Sequence, residues 1–258
     1  MAGKLKIAGH LAIEVTQRCN LNCDHCLRGC ARNVNITKEI IDKTLDNFEH
    51  ISSITFTGGE PTLNPEAIIY TIDQIKARGI SVGSFYLVTN CVNFSGEVVL
   101  KLLELYALCY EKEMCGLCVS VDEFHNNRDM DAYDMYSALG FFRTDKEHED
   151  GWNGGIINRG NAKEYSIGTF DKKVLQFNPE YAEMFDNAIQ FDDVLYVNAK
   201  GDVFFDCDLS YELQDEYRSI NVVNESIAEW MFMQMYDNEC LDKEPASAIL
   251  EELGLIPA

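Results

Sequence analysis

The 258-residue chain reads as an α/β protein built from βαβ units around a parallel sheet. Three observations lead there. Short apolar runs alternate with amphipathic stretches over roughly the first 160 residues. The runs are apolar throughout, as expected of strands covered on both faces. Polar or glycine-rich residues follow each run, at the strand ends where parallel barrels do their chemistry.

The elements follow in order. Residues 11–16 (LAIEVT) predict a first strand leading into CNLNCDHC (19–26). Residues 37–50 predict a helix with Thr37 as N-cap and Ile41, Leu45 and Phe48 on one face. ITFTGGEP (54–61) predicts a second strand ending in a glycine turn, and 65–78 a helix with Ile68, Ile72 and Ile75 in register. SFYLVTN (84–90) predicts a third strand, and 96–111 a helix with Val99, Leu102, Leu103 and Tyr106 inward. GLCVSVD (116–122) predicts a fourth strand, 131–142 a helix and GGIINRG (154–160) a fifth strand. Cys19–Cys26, Gly58-Gly59-Glu60, Thr89-Asn90, Ser120/Asp122 and Asn158-Arg159 then converge on one rim. Further on, VLYVNAKGDVFFDC (194–207) predicts a hairpin around Lys200-Gly201. SINVVNESIAEWMF (219–232) runs into a helix with Ile227, Trp230 and Met231 inward.

Composition narrows the function. Net charge is −22, from 43 acidic and 21 basic residues. Such a surface repels DNA and RNA unless basic residues cluster, and Lys172-Lys173 is the only adjacent basic pair. No apolar run reaches membrane-span length, because Glu14, Asp73 and Glu104 interrupt the best candidates. No secretory signal opens the chain. The expectation is a cytoplasmic protein whose ten cysteines are reduced, some of them bound to metal.

Cys19, Cys23 and Cys26 stand in one loop, and no fourth thiol follows at clear ligand spacing. Structural zinc and ferredoxin-type clusters take four protein ligands. Three thiolates would leave one iron of a 4Fe-4S cluster open to a substrate or cofactor. Cys30, after Leu27, Arg28 and Gly29, could be a local fourth. Spacing alone therefore leaves a zinc-stabilised binding protein and an iron–sulfur electron carrier open.

C-x3-C-x2-C after the first strand, with GGEP after the second, resembles the radical S-adenosylmethionine (SAM) enzyme superfamily over roughly residues 11–160. The resemblance implies a partial (β/α)6 TIM-like barrel in which Cys19, Cys23 and Cys26 ligate a 4Fe-4S cluster and Cys30 does not. The open iron would chelate SAM. An electron from the cluster would cleave SAM to methionine and a 5′-deoxyadenosyl radical, which takes a hydrogen atom from substrate. Gly58, Gly59 and Glu60 resemble the segment that holds the SAM amino group: glycines allow close backbone approach and an acceptor faces an ammonium. Ser120 resembles the ribose or carboxylate contact, with Asp122 beside it. Arg159 resembles the partner of the SAM carboxylate. Asn90 ends a Thr-Asn pair on the same rim. His25 replaces the aromatic or apolar residue near the adenine, and imidazole can still stack. His125 is the candidate proton donor or acceptor.

The hairpin and helix resemble the SPASM or shorter twitch module of peptide-modifying relatives, which divides the chain into a 1–190 barrel and a 191–258 extension. The extension offers only Cys207 and Cys240, so one cluster is expected, without an auxiliary one. The implied partners are a peptide substrate, or alternatively a small metabolite or nucleotide, and an external electron donor such as flavodoxin or ferredoxin. With the first strand near Leu11, no leader-peptide-binding domain is expected before the barrel.

Overall fold

Where the apolar runs pair decides which loops meet. In the computed structural model, residues 5–122, 124–125, 128–144, 155–185, 188–241 and 243–254 are described. The chain runs β1 (Lys6–Thr16), α1 (Lys38–Leu45), β2 (Phe48–Gly58), α2 (Pro65–Arg78), β3 (Ser81–Thr89), α3 (Gly96–Leu108) and β4 (Gly116–Val119). Then follow α4 (Met130–Ser137), β5 (Phe142–Thr144), α5 (Gly160–Glu164), β6 (Ala182–Phe185), β7 (Ala188–Val197) and β8 (Asp202–Phe204). α6 (Tyr211–Glu216), β9 (Ile220–Asn221), α7 (Ile227–Asp237) and α8 (Lys243–Glu252) complete it.

The strands lie in the order β5-β4-β3-β2-β1-β7-β8-β9, with β6 also on β7. Neighbours from β5 to β1 are parallel, and β7 is parallel to β1 on its other side. β6, β8 and β9 pair antiparallel. The sheet does not close among the described residues. This is the expected α/β architecture, a partial barrel with six parallel strands and a hairpin continuing it.

Local chemistry explains most element ends. Thr37 accepts the Ile40 N–H and starts α1. Pro65 takes the first position of α2, and Gly79, at φ 66°, ends it in the left-handed conformation. Ser95 and Ser226 cap α3 and α7. The hairpin turn is built by Asn198, whose Oδ1 accepts from Lys200 N and Asp202 N.

Four expectations need correction. Helix 37–50 stops at Leu45: Phe48 belongs to β2, where it lies opposite Ile7. Leu103 is exposed and Leu105 is buried instead, because the covered stripe of α3 runs Val98, Leu102, Leu105. The segment 131–142 does not stay helical, since Phe142 opens β5. GGIINRG is not a strand; Gly154 lies outside the described residues, Ile157 makes a single bridge to Phe170, and Gly160 opens α5. The fifth parallel strand is the three-residue β5, too short for an apolar run to reveal it.

The expected division at residue 190 falls inside β7. One apolar core extends from Leu5 through Ile13, Phe56 and Leu87 to Val203, Met231 and Leu250. Beside it, Glu14 of β1 is fully buried. Its carboxylate accepts from Gln17 Nε2, Tyr196 OH, Ala199 N and Gln214 Nε2, tying β1 to β7 and α6.

The loop before β6 is held by a buried ion pair, Arg159 with Asp206 at 3.3 Å. Burial raises the Asp206 pKa, but the N–H groups of Asp208 and Leu175 and the charges of Lys172 and Arg159 outweigh it and hold the pKa below the ordinary 3.8. A carboxylate depressed in this way contributes stability above its unfolded pKa and loses it as pH falls through the folded value. Wild-type stability should therefore drop below about pH 4. Asp206→Asn should flatten that drop and cost about 3–5 kcal/mol at pH 7, because it leaves Arg159 buried without its partner. Urea unfolding across pH checks both.

Candidate active site

β1 and β2 deliver the central pieces. They pair in parallel to their C-terminal ends, where Thr16 lies opposite Gly58. Past that point the two chains stay in contact: Gly59 N donates to Thr16 O at 2.9 Å and Glu60 N to Arg18 O at 2.8 Å. A Cβ on Gly58 would meet Thr16 O at 2.2 Å, and one on Gly59 would meet Arg18 O at 2.4 Å. Gly58 also has φ 153°. No side chain fits either position, which is the physical content of the glycine pair.

Glu60 is 1% exposed and its carboxylate is fully engaged. It accepts from Thr62 N, Thr62 Oγ1, Thr89 Oγ1 and Asn90 N. Burial pushes its pKa above the ordinary value, and those donors pull back against it. The side chain thus braces the glycine turn to the end of β3. Asn90 in turn donates to Asn20 Oδ1 at 2.8 Å and stands 3.9 Å from Cys19 Sγ.

The thiols of Cys19, Cys23 and Cys26 line one cavity of about 260 Å³ with Gly58, Gly59, Glu60, Asn90, Ser120, His25 and His125. No disulfide joins any of the ten cysteines. The Cys23 thiol is pushed up to about 11, first by burial and then by Cys26 and Cys19 beside it. Burial likewise raises Cys19. Three half-buried thiols that repel one another as thiolates are a donor set that a cationic metal centre would stabilise. Cys30 is exposed and lines a different cavity, and Cys91, Cys109, Cys115 and Cys118 are buried. The donor chemistry therefore fits a three-thiolate cluster with an open position.

An aromatic and charged wall faces the thiols. His25 stacks on Phe124 at 4.2 Å between centroids and meets His125 edge-on at 5.2 Å. Asp122 accepts from His125 Nδ1 at 2.8 Å, and its carboxylate lies 3.9 Å from His25 Nε2. Burial raises the Asp122 pKa, but His125, the Phe124 N–H and His25 outweigh it and hold the pKa below the ordinary value. His25 Nδ1 is buried with no hydrogen-bond partner among the described residues.

Arg159 is not brought into this cavity. It sits 5% exposed in front of α5, paired with Asp206 and with the carbonyls of Asp208 and Lys172. Its neighbour Asn161 does reach the cysteine loop, donating its N–H to Cys26 O at 2.9 Å and Nδ2 to Cys23 O at 2.9 Å. The sequence reading missed Asn161, Phe124 and Tyr211, because no local pattern marks them; they arrive through packing.

Residues 13–129 match the family model of the radical SAM superfamily, from within β1 to the cap of α4. That stretch, somewhat less than half of the chain, is similar to the radical SAM domain, a class whose members use a 4Fe-4S cluster and SAM. The chain is 34% identical over 101 residues to uncharacterized protein MJ0907 of Methanocaldococcus jannaschii, covering 37% of this chain and 35% of that protein. It is 30% identical over 102 residues to the tungsten-containing aldehyde ferredoxin oxidoreductase cofactor-modifying protein of Pyrococcus furiosus, covering 37% of this chain and 28% of that one. The matched segment thus spans about a third of the length of these curated relatives. Among solved structures, native anSMEcpe with bound AdoMet aligns with a TM-score of 0.52 at 15% identity, covering 87% of this chain and 80% of that one; this is a likeness of fold.

Two outcomes check the site. Ala at Cys19, Cys23 or Cys26 should each abolish the brown chromophore and most iron after reconstitution, whereas Cys30→Ala should keep both. Glu60→Gln places an amide N–H against a buried donor and should lower unfolding free energy by about 1–3 kcal/mol, read by urea titration of the cluster-free protein.

Proposed function

We propose that the protein removes a hydrogen atom from a peptide, at a Cα or side-chain carbon, in ribosomal peptide maturation. The observation that carries the hydrogen-abstraction chemistry is the convergence of three thiols, the Gly58-Gly59 turn and Ser120 on one cavity. The cluster and SAM, when bound, supply one-electron cleavage of SAM and removal of the hydrogen atom. The protein's own residues do the rest. Cys19, Cys23 and Cys26 hold the cluster, and Asn90 and Asn161 hold their loop. The Gly58–Glu60 turn presents bare main chain to the methionine end of SAM. His25 and Phe124 offer their faces to its adenine, and Ser120 and Asp122 lie towards its ribose. Asp122 engages His125 Nδ1, which leaves Nε2 as the nitrogen that exchanges a proton with substrate. An external carrier such as ferredoxin or flavodoxin supplies the electron.

The peptide reading draws support from the hairpin and helix at 194–237, which resemble the extension of peptide maturases, and from the net charge of −22, which disfavours nucleic acid. No described helix is long and apolar enough to cross a membrane. A second reading, a small molecule or cofactor as substrate, is favoured by the likeness to the Pyrococcus furiosus relative, a cofactor-modifying protein.

The reconstituted protein should carry about four irons. With SAM and reductant under anaerobic conditions it should release 5′-deoxyadenosine in step with a mass change in a peptide encoded beside its gene. Turnover of a small molecule with every neighbouring peptide unchanged would overturn the peptide reading. About eight irons, falling to about four in Cys207→Ala, would show a second cluster in the extension.

A further inference from the structure

Behind the cysteine loop lies a second cavity, larger than the first at about 730 Å³. The two share Arg28, Gly29, Asn161 and Tyr211 as lining, so they adjoin through one wall. Arg28 stands in that wall and is 9% exposed. Among the described residues its guanidinium donates to the Leu209 carbonyl, and it lies 5.0 Å from the centre of the Tyr196 ring. No described carboxylate stands at ion-pair distance from it. The buried Glu14 takes its hydrogen bonds from the neutral groups of Gln17, Tyr196, Ala199 and Gln214, and its charge acts on Arg28 only through space. A buried guanidinium has five N–H donors and a charge that wants a partner.

The rest of the cavity wall narrows the charge it can take. Arg32 pairs with Asp215 at 2.8 Å, Lys172 with Asp208 at 2.6 Å and Arg159 with Asp206 at 3.3 Å. Lys163, on the exposed rim, has no side-chain partner among the described residues. The acids on the wall, Glu164 and Glu212, are exposed on the same rim. Arg28, deep, and Lys163, at the mouth, thus make no ion pair among the described residues, whereas Arg32, Lys172 and Arg159 do. Elsewhere a chain of net charge −22 repels anions.

We propose that this second cavity binds a carboxylate of the substrate, with Arg28 as its bidentate partner and Lys163 guiding it in. Seated there, the substrate lies against the wall of Arg28 and Tyr211 that the two cavities share. The proposal rests on the proposed function only in that the thiol cavity acts on a substrate; it holds for a peptide side chain and for a small carboxylic acid alike.

Calorimetric titration of the reconstituted protein with SAM present tests it, using three probes: Ac-Gly-Glu-Gly-NH2, its Gln counterpart and succinate. The Glu peptide should bind about tenfold or more tightly than the Gln peptide, and Arg28→Gln should erase that difference, as expected for a charge-assisted bidentate pair. Lys163→Glu, on the exposed rim, should weaken the Glu peptide by itself, so the test survives if Arg28→Gln does not fold. Equal binding of the Glu and Gln peptides with no binding of succinate, or wild-type affinity in Lys163→Glu, overturns the site. So does a parallel loss of SAM affinity in Arg28→Gln, which would assign the guanidinium to the SAM carboxylate. Binding of succinate with neither peptide bound supports the carboxylate site and removes the peptide reading instead.

Discussion

The active-site half of the molecule depends on one close approach of two main chains. β1 and β2 pair to their ends, and the contact continues as Gly59 N to Thr16 O and Glu60 N to Arg18 O. This fixes where the cysteine loop leaves the sheet, since Cys19 follows Arg18 directly. The approach is open only to residues without a Cβ, and any side chain at Gly58 or Gly59 would enter the opposite carbonyl. Glu60 then carries the constraint across to β3 through Thr89 and Asn90. Asn90 closes the circuit at Asn20. Three strands are thereby tied together around the thiols by hydrogen bonds. A buried carboxylate is tolerated there because four donors meet it.

The C-terminal extension is part of the same construction. β7 pairs with β1 on the side away from β2, so β1 is the central strand of the sheet and the thiol loop springs from its middle. Glu14 binds β7 and α6 to that strand. Tyr211, at the start of α6, lines both cavities while its N–H donates to Arg28 O. Removing the extension would therefore expose Glu14 and open the wall that carries Arg28, which couples the extension to the site through packing.

Local elements were legible in the chain because local physics makes them. The Thr37 cap, the bounds of α2 from Pro65 to Arg78 and the Asn198–Gly201 turn all depend on neighbours a few residues away. The α/β class was readable for the same reason. β5 was not, because three residues at a sheet edge carry no periodic signal, and neither was the end of α1 before Phe48, where an apolar residue suits helix and strand equally.

The sequence by itself offered three close thiols, the glycine turn and the α/β class. Only the tertiary structure decided that Arg159 is spent on Asp206, that Asn161 holds the cysteine loop, and that Glu60 is a brace. Only it gathered Arg28, Arg32, Lys163 and Lys172 around one cavity in a chain without a basic run. The reason is physical. A motif declares which atoms are available, but the direction of a buried charge is set by whichever partner packing brings within reach. Those partners lie 47, 138 and 30 residues away along the chain.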